Sequence, residues 1–124
     1  MNRNVTIGTL AGLSLLLSPL PAQAQATAAK PTVVQVKLNE WTMGMDTMKV
    51  KGAVTFEVTN TGKYPHALAI EGKMGNQDFE ISTGWLKAGE KTTLNVNLPA
   101  GTYNVYCPVP GHEAKGMKSD LTFE

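Results

Sequence analysis

Thr92-Thr-Leu-Asn-Val-Asn-Leu98 alternates polar and apolar side chains and stops at Pro99-Ala100-Gly101. A period of two belongs to a strand with one face on a core and the other in water. The same alternation runs through Thr32-Val-Val-Gln-Val-Lys-Leu38 and Ala53-Val-Thr-Phe-Glu-Val-Thr59, the second ending in the turn signal Asn60-Thr61-Gly62. Ala67-Leu-Ala-Ile70, Thr102-Tyr-Asn-Val-Tyr106 and Asp120-Leu-Thr-Phe123 complete the series. Short strands rich in Val, Thr and Phe, punctuated by Gly, Pro and Asn, predict an all-β antiparallel sandwich or barrel. Residues 74–86 are the least regular, and a single helical turn is expected there. No internal repeat follows the Ala/Gln/Thr-rich start.

That start has a different character. Arg3 is followed by a mostly apolar stretch from Val5 to Leu17, then Pro19, Pro21 and two overlapping small-x-small sites ending at Ala24 and Ala26. This is the layout of a secretory signal peptide, and the apolar stretch is short of the roughly 20 residues of a spanning helix. The expected organisation is a signal peptide at 1–24 (cleaved after Ala24 or Ala26), a short linker at 25–31 and one domain at 32–124, exported to the periplasm. Arg3 is the only charge in the leader, so the 11 basic and 10 acidic residues of the whole chain become equal numbers after cleavage. A neutral domain of about 100 residues buries one core and has no charge excess for nucleic acid or an anionic membrane. No membrane insertion is expected after cleavage, and the expected state is a monomer.

An exported chain with one cysteine has no internal disulfide, and the odd thiol calls for an intermolecular bridge, a free thiol or a ligand. Cys107 closes a strand. Pro108-Val-Pro-Gly111 leads to His112, and Glu113-Ala-Lys-Gly116 leads to Met117. The only other histidine, His66, follows Tyr64-Pro65 and opens a strand some forty residues earlier. Taken singly, a histidine beside a strand is ordinary structure and a buried cysteine packs as a small hydrophobe. Together, two imidazoles, a thiolate and a thioether at strand ends form a soft donor set. His₂Cys with a weak methionine is the arrangement of mononuclear electron-transfer copper. Zinc takes Cys and His as well, but its sites rarely include methionine.

Gly101-Thr-Tyr-Asn-Val-Tyr-Cys107, followed by Pro, His and Gly-Met, resembles the C-terminal signature of plastocyanin-type cupredoxins. Val54-Thr-Phe-Glu-Val-Thr-Asn60, leading to Tyr64-Pro65-His66, resembles the stretch that brings their first ligand. The resemblance implies a Greek-key β-sandwich of about eight strands that binds one type 1 copper, cycling between Cu(I) and Cu(II), through His66, Cys107, His112 and Met117. It implies a diffusible one-electron carrier and not an enzyme. Its partners would be redox proteins such as c-type cytochromes, oxidases or reductases, docking at the apolar patch around His112. The Cys-x4-His-x4-Met spacing is shared with the plant phytocyanins, whereas plastocyanins proper and azurins have shorter loops. Ala67 stands where plastocyanins and azurins commonly carry an asparagine that ties the ligand segments together.

Two histidines leave none for a second metal centre where oxygen or nitrite would react. His112 is expected to show its ring edge through a patch of Pro108, Val109, Pro110, Ala114 and Met117. The prolines have no N–H to offer the sulfur, which favours Cu(I) and a high potential. Met43, Met45 and Met48 pack in the core or, in the alternative reading, form the copper-transfer surface of a periplasmic copper carrier or chaperone. A metal-free binding sandwich is the third reading. Tyr103 and Tyr106 read as packing residues, Tyr106 also adjoining the thiolate. Glu113, Lys115, Lys118 and Asp120 read as a solvated rim.

Overall fold

The structure, a computed structural model, describes residues 30–124 and, in isolation, Ser18. The rest of the expected leader and both expected cleavage sites lie outside the described residues. Eight strands follow in order: β1 (Thr32–Leu38), β2 (Met48–Val50), β3 (Val54–Asn60), β4 (Ala69–Met74), β5 (Gln77–Ser82), β6 (Lys91–Val96), β7 (Gly101–Tyr106) and β8 (Lys118–Phe123). They form a three-stranded sheet, β1-β3-β6, and a five-stranded sheet, β2-β8-β7-β4-β5. The chain crosses repeatedly between them in a Greek-key, cupredoxin-like sandwich.

The alternation read from the sequence is what the sheets bury. Val54, Phe56 and Val58 of β3 face the interior, and Thr55, Glu57 and Thr59 face outward. Val36, Leu38 and Val96 join them, and Leu68, Ile70, Val105, Leu121 and Phe123 complete one continuous core. Each of the larger side chains contributes about 1.5–3 kcal/mol by leaving water. Tyr103 is in this core as predicted, its ring edge-on to Phe79 and Phe123. Its hydroxyl donates to the Pro99 carbonyl at 2.7 Å, which ties the start of β7 to the turn before it.

Two expectations need correction. Residues 74–86 hold no helical turn: β4 runs on to Met74, Gly75 at φ +60 and Asn76 make a tight turn, and β5 returns. Met74 pairs with Gln77, and a two-residue loop of this kind needs positive φ at its first position, which glycine supplies. The sandwich is also not wholly antiparallel, because β1–β3 and β2–β8 are parallel pairs.

The first parallel pair builds one pole of the molecule. Leu38 lies opposite Asn60, so β1 and β3 leave their sheet side by side. Ala69 at the start of β4 pairs with Tyr106 at the end of β7, and Tyr106 pairs with Lys118 at the start of β8. Residues 39–42, 61–68 and 107–117 therefore meet.

Candidate metal centre

The loop from Cys107 to Met117 is closed on itself. The Cys107 N–H donates to the Met117 carbonyl at 3.1 Å, so the residue that follows β7 and the one that precedes β8 are tied together. Inside the loop, Pro110 and Gly111 (φ +83) turn the chain, and the His112 N–H donates to the Val109 carbonyl at 3.0 Å. Proline followed by a positive-φ glycine is the requirement of a type II turn. A short 3-10 turn, Glu113–Lys115, follows, and the Met117 N–H returns to the His112 carbonyl. The loop's only helical turn thus lies between two proposed ligands.

His66 is positioned from the other side. Its backbone makes an isolated two-way bridge with Leu86, at 3.1 and 2.8 Å. Nδ1 of His66 lies 3.2 Å from Nδ1 of His112, and Cys107 Sγ lies 3.5 Å from the same His112 nitrogen. All three side chains are buried, with His66 and Cys107 at 0% and 1% exposure and His112 at 8%. They are the one His/Cys/Asp/Glu group among the described residues whose ligand atoms lie within 4.8 Å of one another. Ligand nitrogens bound about 2 Å from a single ion stand about 3.3 Å apart, so the residues fit a metal without rearranging. Burial, foremost, and then the neighbouring His66 and Lys115 push His112 below the ordinary histidine pKa, which favours the neutral, ligating imidazole. Met117 is wholly buried at the closing end of the loop.

The brace that Ala67 cannot supply is built from other parts. Asn60, fully buried, donates from Nδ2 to the carbonyls of Tyr64 (2.8 Å) and Leu86 (2.9 Å) and accepts the Gly62 N–H at 2.9 Å. The Ala67 N–H points at Cys107 Sγ at 3.5 Å, and the Leu68 N–H donates to Thr83 Oγ1. The sulfur therefore has one backbone donor despite the prolines beside it.

The sequence reading gave no role to Glu40 or to Trp41. Glu40 Oε1 lies 3.1 Å from His66 Nε2 and accepts the N–H groups of Lys63 (2.6 Å) and Tyr64 (2.9 Å). The Tyr64 N–H above all, with help from Lys63, its own N–H and His66, outweighs burial and holds the Glu40 carboxyl at about 2. The Trp41 ring stands edge-on to His112 at 4.9 Å and to His66 at 6.3 Å, stacks on Tyr64, and carries Lys115 Nζ 4.1 Å from its centre. Lys115 is thus more than a solvated rim residue, whereas Glu113, Lys118 and Asp120 are exposed as expected.

Met43 is 1% exposed and belongs to the core, and Met45 and Met48 pack half-buried against it. This is the core-packing expectation, and it takes Met43 off any transfer surface. Met117 is likewise too deep for the patch around His112, where Pro110 and Ala114 are exposed and Pro108 and Val109 half-buried. The Tyr106 hydroxyl bonds Glu80, and that bond, burial and nearby carboxylates raise its pKa to about 12.

Comparison with known proteins agrees with this geometry. No curated protein matches the chain. Among solved structures, auracyanin from the photosynthetic bacterium Roseiflexus castenholzii is similar with TM-score 0.65 and 20% identity, over 78% of this chain and 99% of that one. An amicyanin gives 0.56 and 17%, over 74% and 82%. Rusticyanin from Thiobacillus ferrooxidans gives 0.53 and 23%, over 77% and 79%. At these identities the likeness establishes the fold. The family "copper binding proteins, plastocyanin/azurin family" matches residues 31–124, all eight strands and the whole centre, and the chain belongs to that family.

Proposed function

We propose that the protein holds one copper ion through His66, Cys107 and His112, with the Met117 thioether as a weak fourth donor, and serves as a periplasmic one-electron carrier. The carrying observation is the convergence of two imidazole nitrogens and one sulfur, buried and 3.2–3.5 Å apart around His112 Nδ1. Copper bound there supplies a one-electron couple, since thiolate and thioether suit Cu(I) and imidazole suits both states. The protein's part is to exclude water by burial, to favour the neutral form of His112 and to keep the donors in place in both states. His112, slightly exposed beside Pro110 and Ala114, is the point nearest solvent for a redox partner such as a c-type cytochrome, oxidase or reductase. Both histidines of the sequence are engaged, so the reading is a carrier without a substrate site.

The test is Cu(II) titration of the purified copper-free protein, followed by visible and electron paramagnetic resonance spectra. An intense thiolate-to-copper band that bleaches reversibly with reductant is expected, and Cys107→Ser should abolish it while the fold survives. A coloured, redox-active Cys107→Ser protein would rule the assignment out.

A further inference from the structure

Glu40 lies just past the end of β1, twenty-six residues from His66 in sequence, yet its carboxylate meets the side of the His66 ring that faces away from the proposed metal. We propose that Glu40 is a positioning and charge-tuning residue for this centre: it fixes the tautomer and ring plane of His66 and stabilises Cu(II) relative to Cu(I). The inference rests on the copper reading of the site.

Each half of the claim has its own geometry. An imidazole carries one proton when neutral, and the nitrogen that keeps it is set by the partner of the other nitrogen. A carboxylate can only accept, so Nε2 keeps the proton and Nδ1 is left bare toward Cys107 and His112. That bare Nδ1 faces His112 Nδ1 at 3.2 Å. Glu40 does not swing, because the same oxygen holds the N–H groups of Lys63 and Tyr64. Its seat depends on Gly62: a Cβ there would overlap Glu40 Oε1. Trp41, the next residue, stands edge-on to both imidazoles and confines the ring from a second direction. The charge half is Coulombic. A centre of two neutral imidazoles and one thiolate has net charge +1 with Cu(II) and zero with Cu(I), so a fixed carboxylate behind one ligand favours the oxidised form.

Two substitutions separate these effects. Glu40→Gln keeps an oxygen that accepts the Nε2 proton but removes the charge. The copper spectra should persist while the ratio of Cu(II) to Cu(I) affinity falls about tenfold, which is a rise of about 59 mV for a one-electron couple. Gly62→Ala keeps the glutamate but displaces its carboxylate. Copper affinity should then drop by about tenfold, the lower end of what loss of such a partner typically costs. Nitrogen NMR of the copper-free protein reads the tautomer independently of any metal, and the parent protein should hold His66 as the Nε2–H form. If the parent lacks the copper band, the copper reading itself fails. If the parent has the band but Glu40→Gln leaves the potential unchanged, or His66 is the Nδ1–H form, Glu40 merely pins the turn at residues 61–64 and the proposal is overturned.

Discussion

Asn60 offers the sharpest test of how this pole is held together, because its side chain is fully buried and makes three hydrogen bonds to main chain. Asn60→Ala deletes all three, worth about 1 kcal/mol each net. The Leu86 carbonyl keeps its bond from the His66 N–H, so it is not orphaned. The buried Gly62 N–H has only the Asn60 oxygen, and stranding it adds about 1–3 kcal/mol. The expected loss is about 4–6 kcal/mol, a large share of the roughly 5–15 kcal/mol that holds a domain folded. At about 4–8 °C per kcal/mol for a domain of this size, the melting temperature should fall by on the order of 15–50 °C. Urea unfolding of the copper-free protein, followed by tryptophan fluorescence, measures this directly, with a lower midpoint at unchanged slope. Asn60→Asp should be no better at neutral pH, since a carboxylate would face two carbonyls. It should recover as pH falls and the buried acid, its pKa raised, takes up a proton. A loss below about 1 kcal/mol for Asn60→Ala would refute the reasoning, because the amide would then merely replace water.

Substitution of Met117 tests the fourth donor: a thioether tunes the couple weakly, so the reduction potential by voltammetry should run Leu above Met above Gln, with copper retained in all three. Equal potentials would take Met117 out of the ligand set. Tyr106 should lose its proton only near pH 12, against about 10 for an ordinary tyrosine. Because its folded pKa is raised, its bond to Glu80 stabilises fully below pH 10 and is lost as pH rises through 12. Phenolate absorbance should show one late-titrating tyrosine that disappears in Tyr106→Phe. Export is checked by mass spectrometry of the protein from its native host, which should begin at Gln25 or Thr27; intact Met1 in a membrane fraction would make the leader an anchor.

The parts legible in the sequence are those where one residue's chemistry is decisive. Phe56, Val58 and their alternating neighbours can serve only as a one-faced strand, and Cys107 and the two histidines are too scarce to be scattered by chance. Strand β2 was not legible: three residues carry no period, and Met48–Val50 is a strand only because β8 pairs with it. Strand β5 did carry a signal, Gly75-Asn76, but its polar outer face hid the alternation. Glu40 was invisible for a different reason. A glutamate after a strand is ordinary, and only the parallel register of β1 on β3, which no local pattern encodes, brings it to His66. The helical turn expected near residue 80 was misplaced because the true one is held by the Cys107–Met117 closure, a long-range constraint.

The way the pole is stitched together has a consequence for how the protein is born. His66, Cys107 and His112 converge only when β4 has paired with β7 and β7 with β8, so no shorter stretch of the emerging chain presents the full trio. Pairings of such sequence separation are slow to form, on the order of milliseconds to seconds. A nascent chain is therefore a poor copper trap, and metal capture belongs to the finished fold. An ion that binds the assembled trio and not the unfolded chain adds stability to the fold by mass action. Biogenesis is then ordered, strand pairing first and metal capture second, and whatever slows the joining of β4, β7 and β8 delays loading with it.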